Sequence, residues 1–398
     1  MSFTIEEEAV RDRRLPPLHR LTYAEVGPPR PTTLPNGTPA WLITRYQEAR
    51  QVLTDPRFSR AELLAPDAPV LGDAADVATS PASIFNQDGE GHRRLRRTVQ
   101  SAFTPRAVAG WEPWVASAVE QVLDTMEAAG PPADLVASFT RPLPFAVTSR
   151  LMGLEGLDAE RLGHWTGYVL AEDRPAEEVA AVLEEFAGFA AGLIAERRRA
   201  PGEDLVGRLV RAADEDGAIP EEQLVHLVCG LASSGNESTT GMLGNSLVYL
   251  LGERRDAWSR LADDGAAALA TERLLHAIPL GDEESSTRRA VEDVEIGGVS
   301  IAAGSVVAVS FGSANRDRSV FPGEPTGDLF APLEAASMAF GAGPHHCLGA
   351  RLIRMEMRLA LRGIAARFPE LRLTEPVESI AWQLGSTTRS PERLGAAW

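Results

Sequence analysis

The chain contains no lysine: all 39 of its basic residues are arginine. Arginine suits planar and anionic partners, but an absence that extends over the whole chain reads as the codon bias of a GC-rich genome. Cysteine is nearly missing as well, and two in 398 residues cannot form a disulfide framework. No stretch approaches the roughly 20 consecutive apolar residues that cross a bilayer. The opening MSFTIEEEAVRDRRLPPLHR is charged where a signal peptide is apolar. These absences lead us to expect a protein of the reducing cytoplasm. Positive charge is in deficit too: a formal net charge of −17 opposes binding to nucleic acid or to an anionic membrane. There is no internal repeat and no low-complexity linker, so residues 1–398 are expected to form one domain. No G-x-G-x-x-G opens a helix after a strand, which leaves no dinucleotide site.

What is present is apolar material, 44% of the chain, enough for a sizeable core. AWLITRYQEARQVLTD reads as a short strand and an amphipathic helix. Residues 59–91, with Pro66, Pro69, Gly72 and Pro81, read as a long loop, and loops of that length in compact domains are usually functional. HRRLRRTVQSAF predicts a basic helix that stops before Thr104-Pro105. Helical periodicity then dominates as far as Asp264, and its last stretch, PEEQLVHLVCGLASSGNESTTGMLGNSLVYLLGERRDAWSRLADD, is too apolar for a surface helix. Strand signals gather late, in RRAVEDVEIGGVSIAAGSVVAVSF around a Gly-Gly turn. The expectation is a mainly helical protein with a small, late sheet.

The two cysteines differ in context. Cys229 lies in an apolar helical stretch and reads as packing. Cys347 lies in FGAGPHHCLGARLIRMEM, a turn rich in glycine and histidine just before a helix. Gly341, Gly343 and Gly349 allow tight turns and close approach to a flat ligand. The helix directs N–H groups and positive dipole at the sulfur, an environment that favours the metal-ligating thiolate. With no second cysteine nearby, zinc and iron–sulfur sites built on several thiolates are excluded. One thiolate beside a flat, glycine-lined space points to haem with a single axial sulfur.

FGAGPHHCLG resembles the cytochrome P450 haem-binding signature F-G-x-G-x-H-x-C-x-G at every fixed position. The resemblance implies a mainly α fold with small β-sheets, a triangular helical prism around a buried haem b (iron protoporphyrin IX). It makes Cys347 the iron ligand, with Phe340 shielding the sulfur, His345 reaching a propionate, and Gly341 and Gly349 in the cradle. His92 and Arg96, at i, i+4 in HRRLRRTVQSAF, resemble the family's propionate-binding helix, and Arg288 a further propionate partner. SSGNESTTG resembles the proton-delivery segment of the long helix, with Glu237 as the acid, Ser238 at the alcohol position and Thr239 following. Serine keeps the hydroxyl but loses the methyl that stiffens χ1. ANRD at 314–317 and the EDVEIGG hairpin follow the family's order.

The activity that the resemblance implies is a monooxygenase that uses O2 to oxidise a small molecule in bacterial secondary metabolism. Electrons would come from ferredoxin and ferredoxin reductase, docking on Arg93, Arg94, Arg97, Arg351, Arg354 and Arg358. The pocket walls would include residues 59–91, 167–178, 231–237, the stretch after Pro279 with Asp282, Glu283 and Glu284, and residues 384–387. One departure stands out. Where the family keeps a buried E-x-x-R pair joined to a later arginine, ATERLLHAIPL places Arg273 and His276, and Leu329 stands nearest the third position. Joint replacement points to a repacked core, with Glu272 and His276 at i, i+4 as a substitute hydrogen bond. That departure keeps two alternatives open: a haem-free activator subunit for a glycosyltransferase, or a haem enzyme with non-oxygenase chemistry.

Overall fold

The computed structural model describes residues 24–398 apart from 35, 72–79, 155, 172–173, 217–218, 282–285, 384–385 and 387. The chain enters through two paired strands, β1 (Arg30–Thr33) and β2 (Pro39–Ile43), and helix α1 (Tyr46–Thr54). Strand β3 (Phe58–Ser59) follows, and then α2 (Gly89–Gln100) and α3 (Pro105–Ala129). Thr104 caps α3 and Pro105 sits in its first turn, where a missing N–H costs nothing. After β4 (Ala133–Asp134) come α4 (Pro142–Met152), α5 (Ala159–Val169), α6 (Ala176–Arg199) and α7 (Leu205–Asp216).

Helix α8 (Glu221–Gly252) is buried over almost its whole second half. It ends at Gly252, where a Cβ would lie 2.2 Å from Val377 Cγ2 and only glycine fits; a 3-10 turn, Arg255–Ala262, carries the chain on. Helix α9 (Asp264–Ala277) is capped by Asp263. Strands β5 (Arg288–Ala290), β6 (Val294–Ile296), β7 (Val299–Ile301) and β8 (Val306–Val309) lead to the short α10 (Phe311–Ala314). The chain closes with α11 (Ala350–Arg367), β9 (Arg372–Leu373) and β10 (Gly395–Ala397).

The helices α3, α4, α8, α9 and α11 enclose the main apolar core. A second cluster fills the space between α1 and the sheet, with Ile43, Tyr46, Val52, Val307 and Val309 at its centre. The Gly297-Gly298 turn between β6 and β7 forms as expected, both glycines at positive φ. The sheet itself is not late. Its order is β1-β2-β8-β5-β3, and β2 pairs in parallel with β8 although more than 260 residues separate them (Ile43 opposite Val309). Local strand signals could not show this pairing, because the two buried apolar runs meet only once the helices between them have folded. Helix α2 also begins three residues earlier than the loop reading allowed, with Gly89 at φ +57 turning the chain into it.

Candidate active site

The turn around Cys347 is built from backbone. Phe340 O accepts the Cys347 N–H at 3.0 Å, Gly341 N–H donates to Met338 O at 2.8 Å, and His346 N–H donates to Gly343 O at 3.1 Å. Gly341 and Gly343 hold φ of +67 and +70. At Gly343 the need for glycine is double, since a Cβ would stand 2.2 Å from the carbonyl oxygen of Leu53 at the end of α1. Gly343→Ala is therefore expected to lower stability by about 2–4 kcal/mol, read as the denaturation midpoint; an unchanged midpoint would show that α1 can shift.

The sulfur lies at the floor of a partly open turn, yet is surrounded by protein on most sides. Burial pushes the Cys347 thiol up; the N–H groups of Gly349 and Ala350 at the start of α11, and the charges of Arg96 and Arg354, oppose this. The helix N-terminus does face the sulfur, as the sequence implied. It does not outweigh burial by itself.

One edge of the turn is crowded with cationic groups. The His92 and His345 rings lie 4.2 Å apart, and Arg96 Nη2 donates to His346 O at 2.6 Å. Arg288 is 6% exposed, and its Nη1 donates to the carbonyl of Thr287 at 2.8 Å. Burial, aided by Arg60, brings the Arg288 guanidinium down to about 9, and burial with His345 and Arg96 brings His92 down to about 4. Against these stands Asp88, at the N-cap of α2. Its Oδ2 accepts from Ser59 Oγ at 2.6 Å and from the N–H groups of Arg60 and Ala61, both at 2.9 Å, and its Oδ1 lies 3.4 Å from His345 Nε2. Burial works against the charge on Asp88, but bonds from His345 and Ser59 hold it well below the usual carboxylate range.

Arg60 and Asp88 were not singled out in the sequence. Arg60 Nε donates to Phe85 O at 3.2 Å, Nη1 to Thr287 O at 3.3 Å and Nη2 to Asn86 Oδ1 at 3.1 Å, so it ties two segments together. The N-cap position of Asp88 in DGEGH was the one available signal. Three arginines and two histidines around one carboxylate make an edge that fits further anionic oxygens, such as the two carboxylates of a haem.

Helix α8 presents an open stripe in an otherwise buried element: Leu231, Ser234, Gly235 and Ser238 are wholly or partly exposed, at i, i+3, i+4 and i+7. Phe85, 44% exposed, packs its ring edge beside Gly230 at the head of this stripe. Ser238 Oγ donates to Ser234 O at 2.6 Å. Glu237 turns sideways, accepting at Oε1 from Thr166 Oγ1 of α5 at 2.9 Å and from Asn236 Nδ2 at 3.2 Å, and burial pushes its carboxyl up. Thr239, expected to join the site, is fully buried with its hydroxyl donating back to Gly235 O at 3.2 Å. It lies one residue past the open stripe, so helix rotation turns it into the core.

Other expectations need correction. Glu272 does not bond to His276; its Oε1 accepts from Arg354 Nε at 2.6 Å. Both His276 ring nitrogens lack a hydrogen-bond partner among the described residues, and the ring packs 4.4 Å from that of Phe321. Burial, with Arg316 and Arg273, brings His276 down to about 4, so it is a neutral packing group. Leu329 is fully buried in the main core. The basic surface is largely paired: Arg93 and Arg97 with Glu90, Arg358 with Glu112 and Asp264. Arg94 turns inward to Gln223 of α8. Asp282, Glu283, Glu284, Leu384 and Thr387 lie outside the described residues.

A half-buried cysteine at a helix N-terminus, an arginine-rich edge and an open stripe on a long core helix make up the site of a haem-thiolate protein. The cytochrome P450 family model matches residues 278–391. Nocardicin C N-oxygenase of Nocardia uniformis subsp. tsuyamanensis is 40% identical over 92% of this chain and 91% of its own. Mycinamicin IV hydroxylase/epoxidase of Micromonospora griseorubida is 37% identical over the same shares. Among solved structures, HinD with NMFT and NO superposes with a TM-score of 0.87 at 38% identity, over 95% of this chain and all of that one. The chain belongs to the cytochrome P450 family and is a haem-thiolate monooxygenase, an oxidoreductase. No helix among the described residues is long and apolar enough to cross a membrane.

Proposed function

We propose that this chain holds haem b through Cys347 and oxidises a small molecule of bacterial secondary metabolism, with electrons from a ferredoxin and its reductase. The arginines Arg60, Arg96 and Arg288 on this side of the turn carry this reading, because guanidinium charges in excess of the one carboxylate of Asp88 need further anionic partners, to which the neutral His92 and His345 can add N–H donors. His92, Arg96, Arg288 and His345 would hold the haem carboxylates. Phe340, stacked under Arg354 with the guanidinium 4.4 Å from its ring centre, would cover the sulfur, and Gly341 and Gly349 would leave room for the macrocycle. Bound there, the haem supplies oxygen activation and transfer of one oxygen atom to substrate.

The protein's own residues orient the substrate and move protons. The stripe from Leu231 to Ser238, with Phe85, forms the substrate-facing wall. Burial favours the protonated form of Glu237, which is anchored by Thr166, and the Ser238 hydroxyl lies one residue on. Thr239 supports the helix without facing the cavity. The relatives are named for the oxidation of nocardicin C and mycinamicin IV, which supports a small-molecule substrate. Both cysteines are free thiols, consistent with action in the cytoplasm. Arg351, on the exposed side of α11, with the rim of α2 would receive an acidic ferredoxin.

The first test is reduction under carbon monoxide. A thiolate-type Soret band, followed by product formation with a ferredoxin system, is expected; a protein that takes up no haem would overturn the reading. Glu237→Gln is expected to cut coupled turnover about 100-fold with an unchanged melting temperature. Normal coupling in that variant would remove Glu237 from proton delivery.

A further inference from the structure

The segment from Ala331 to Ser337 lies immediately before the Cys347 turn and has no helix or strand of its own. Its position is set by side chains from other elements. Tyr46 Oη of α1 donates to Ala336 O at 2.7 Å. Asn315 Nδ2 donates to Ser337 Oγ at 3.2 Å and to His276 O at 3.1 Å, while its Oδ1 accepts the Met338 N–H at 2.7 Å. The other end is gripped by Arg273 of α9. Its Nε donates to Ala331 O at 2.9 Å and its Nη2 to Pro332 O at 2.6 Å, and the same Nη2 lies 3.6 Å from Glu334 Oε1.

This arginine is 7% exposed, so an unsatisfied guanidinium there would be costly. Its planar fork meets two consecutive backbone carbonyls, which fixes the segment's position whatever its side chains. Glu334, about two-fifths exposed, sits at the rim and balances the charge. From Pro332 the chain needs only a few residues to reach Phe340, whose carbonyl accepts the Cys347 N–H.

We propose that Arg273 is a positioning residue for the cysteine ligand: through its two carbonyl bonds it fixes the 331–337 segment and so the seat of Cys347, with Glu334 as a secondary counter-ion. Arg273 thus places a guanidinium where the family motif has its glutamate. The proposal rests on Cys347 being the haem ligand.

The test compares R273M, R273K, E334Q and the exchange R273E/E334R. Two readouts are taken: hydrogen exchange of residues 331–340 in apoprotein, and haem loss to an acceptor with the carbon monoxide spectrum of the loaded protein. R273M is expected to raise exchange locally, to lose haem about 10-fold faster and to lose part of its thiolate-type band. R273K recovers part of each, and E334Q stays within about 3-fold of the parent. The exchanged pair remains impaired, because a carboxylate at 273 cannot donate to two carbonyls. Rescue by the exchanged pair, or parental exchange and haem retention in R273M, overturns the proposal. Should R273M not fold, R273K must still exceed E334Q in local exchange, and equality overturns it. If the parent protein takes up no haem, the cofactor reading fails separately, and the apoprotein exchange still decides on Arg273.

Discussion

Cys347→Ser is expected to abolish the thiolate-type carbon monoxide band and to bring turnover to the detection limit, while thermal stability stays within a few degrees. The reason is local. The N–H groups of Gly349 and Ala350 point at the side chain of residue 347, and a serine oxygen accepts from them as readily as sulfur. The turn is held by backbone bonds such as Cys347 N–H to Phe340 O, which the substitution leaves intact. What serine cannot supply is a polarizable thiolate ligand, since its hydroxyl stays protonated in this buried site. Absorbance under carbon monoxide, haem content and a melting curve on one preparation separate the effects. A persistent thiolate-type band in the variant would mean that another group binds the iron; Cys229, buried with its thiol pushed up to about 12, is no candidate.

The second large effect concerns stability. Glu356 of α11 is 2% exposed, its Oε1 has no hydrogen-bond partner among the described residues, and burial pushes its carboxyl up to about 8. In the unfolded chain the same group releases its proton near the ordinary value of 4.5. The folded state therefore binds the extra proton, and the stability associated with it is complete below that lower value. It declines as the pH rises and is lost through about 8. Glu356→Gln removes this dependence and keeps the shape of the neutral acid. The variant is expected to gain on the order of 5 kcal/mol at most over the parent near pH 9, and to match it near pH 4. Denaturant unfolding across that range decides the matter: parallel curves for the two proteins would show the carboxylate to be ionised in place.

These predictions differ in how far the sequence could reach them. The signature FGAGPHHCLG can be read directly because each of its demands is local: two glycines at positive φ, a cysteine, and a helix that starts beside it. His92 and Arg96 were legible by the same logic, since i, i+4 spacing places them on one turn of a helix. Glu356 was not legible. A glutamate in ARLIRMEMRLALR looks like an ordinary helix residue, and only the packing of α3 and α9 against α11 shows that it has been taken out of water.

The same division runs through the whole protein. Composition, periodicity and one short motif determined that the chain is mainly helical and that it belongs with haem-thiolate proteins, because those properties depend on neighbours along the chain. The tertiary structure alone decided the parallel pairing of β2 with β8, the rotation of Thr239 away from the open stripe of α8, and the joining of Arg60 and Asp88 to the cationic edge. It also decided that Arg273 meets backbone carbonyls while His276 stays neutral and Glu272 turns to Arg354. Each of these depends on atoms brought together from distant segments, and a charge or hydroxyl acquires its role only when burial fixes which partner it can reach.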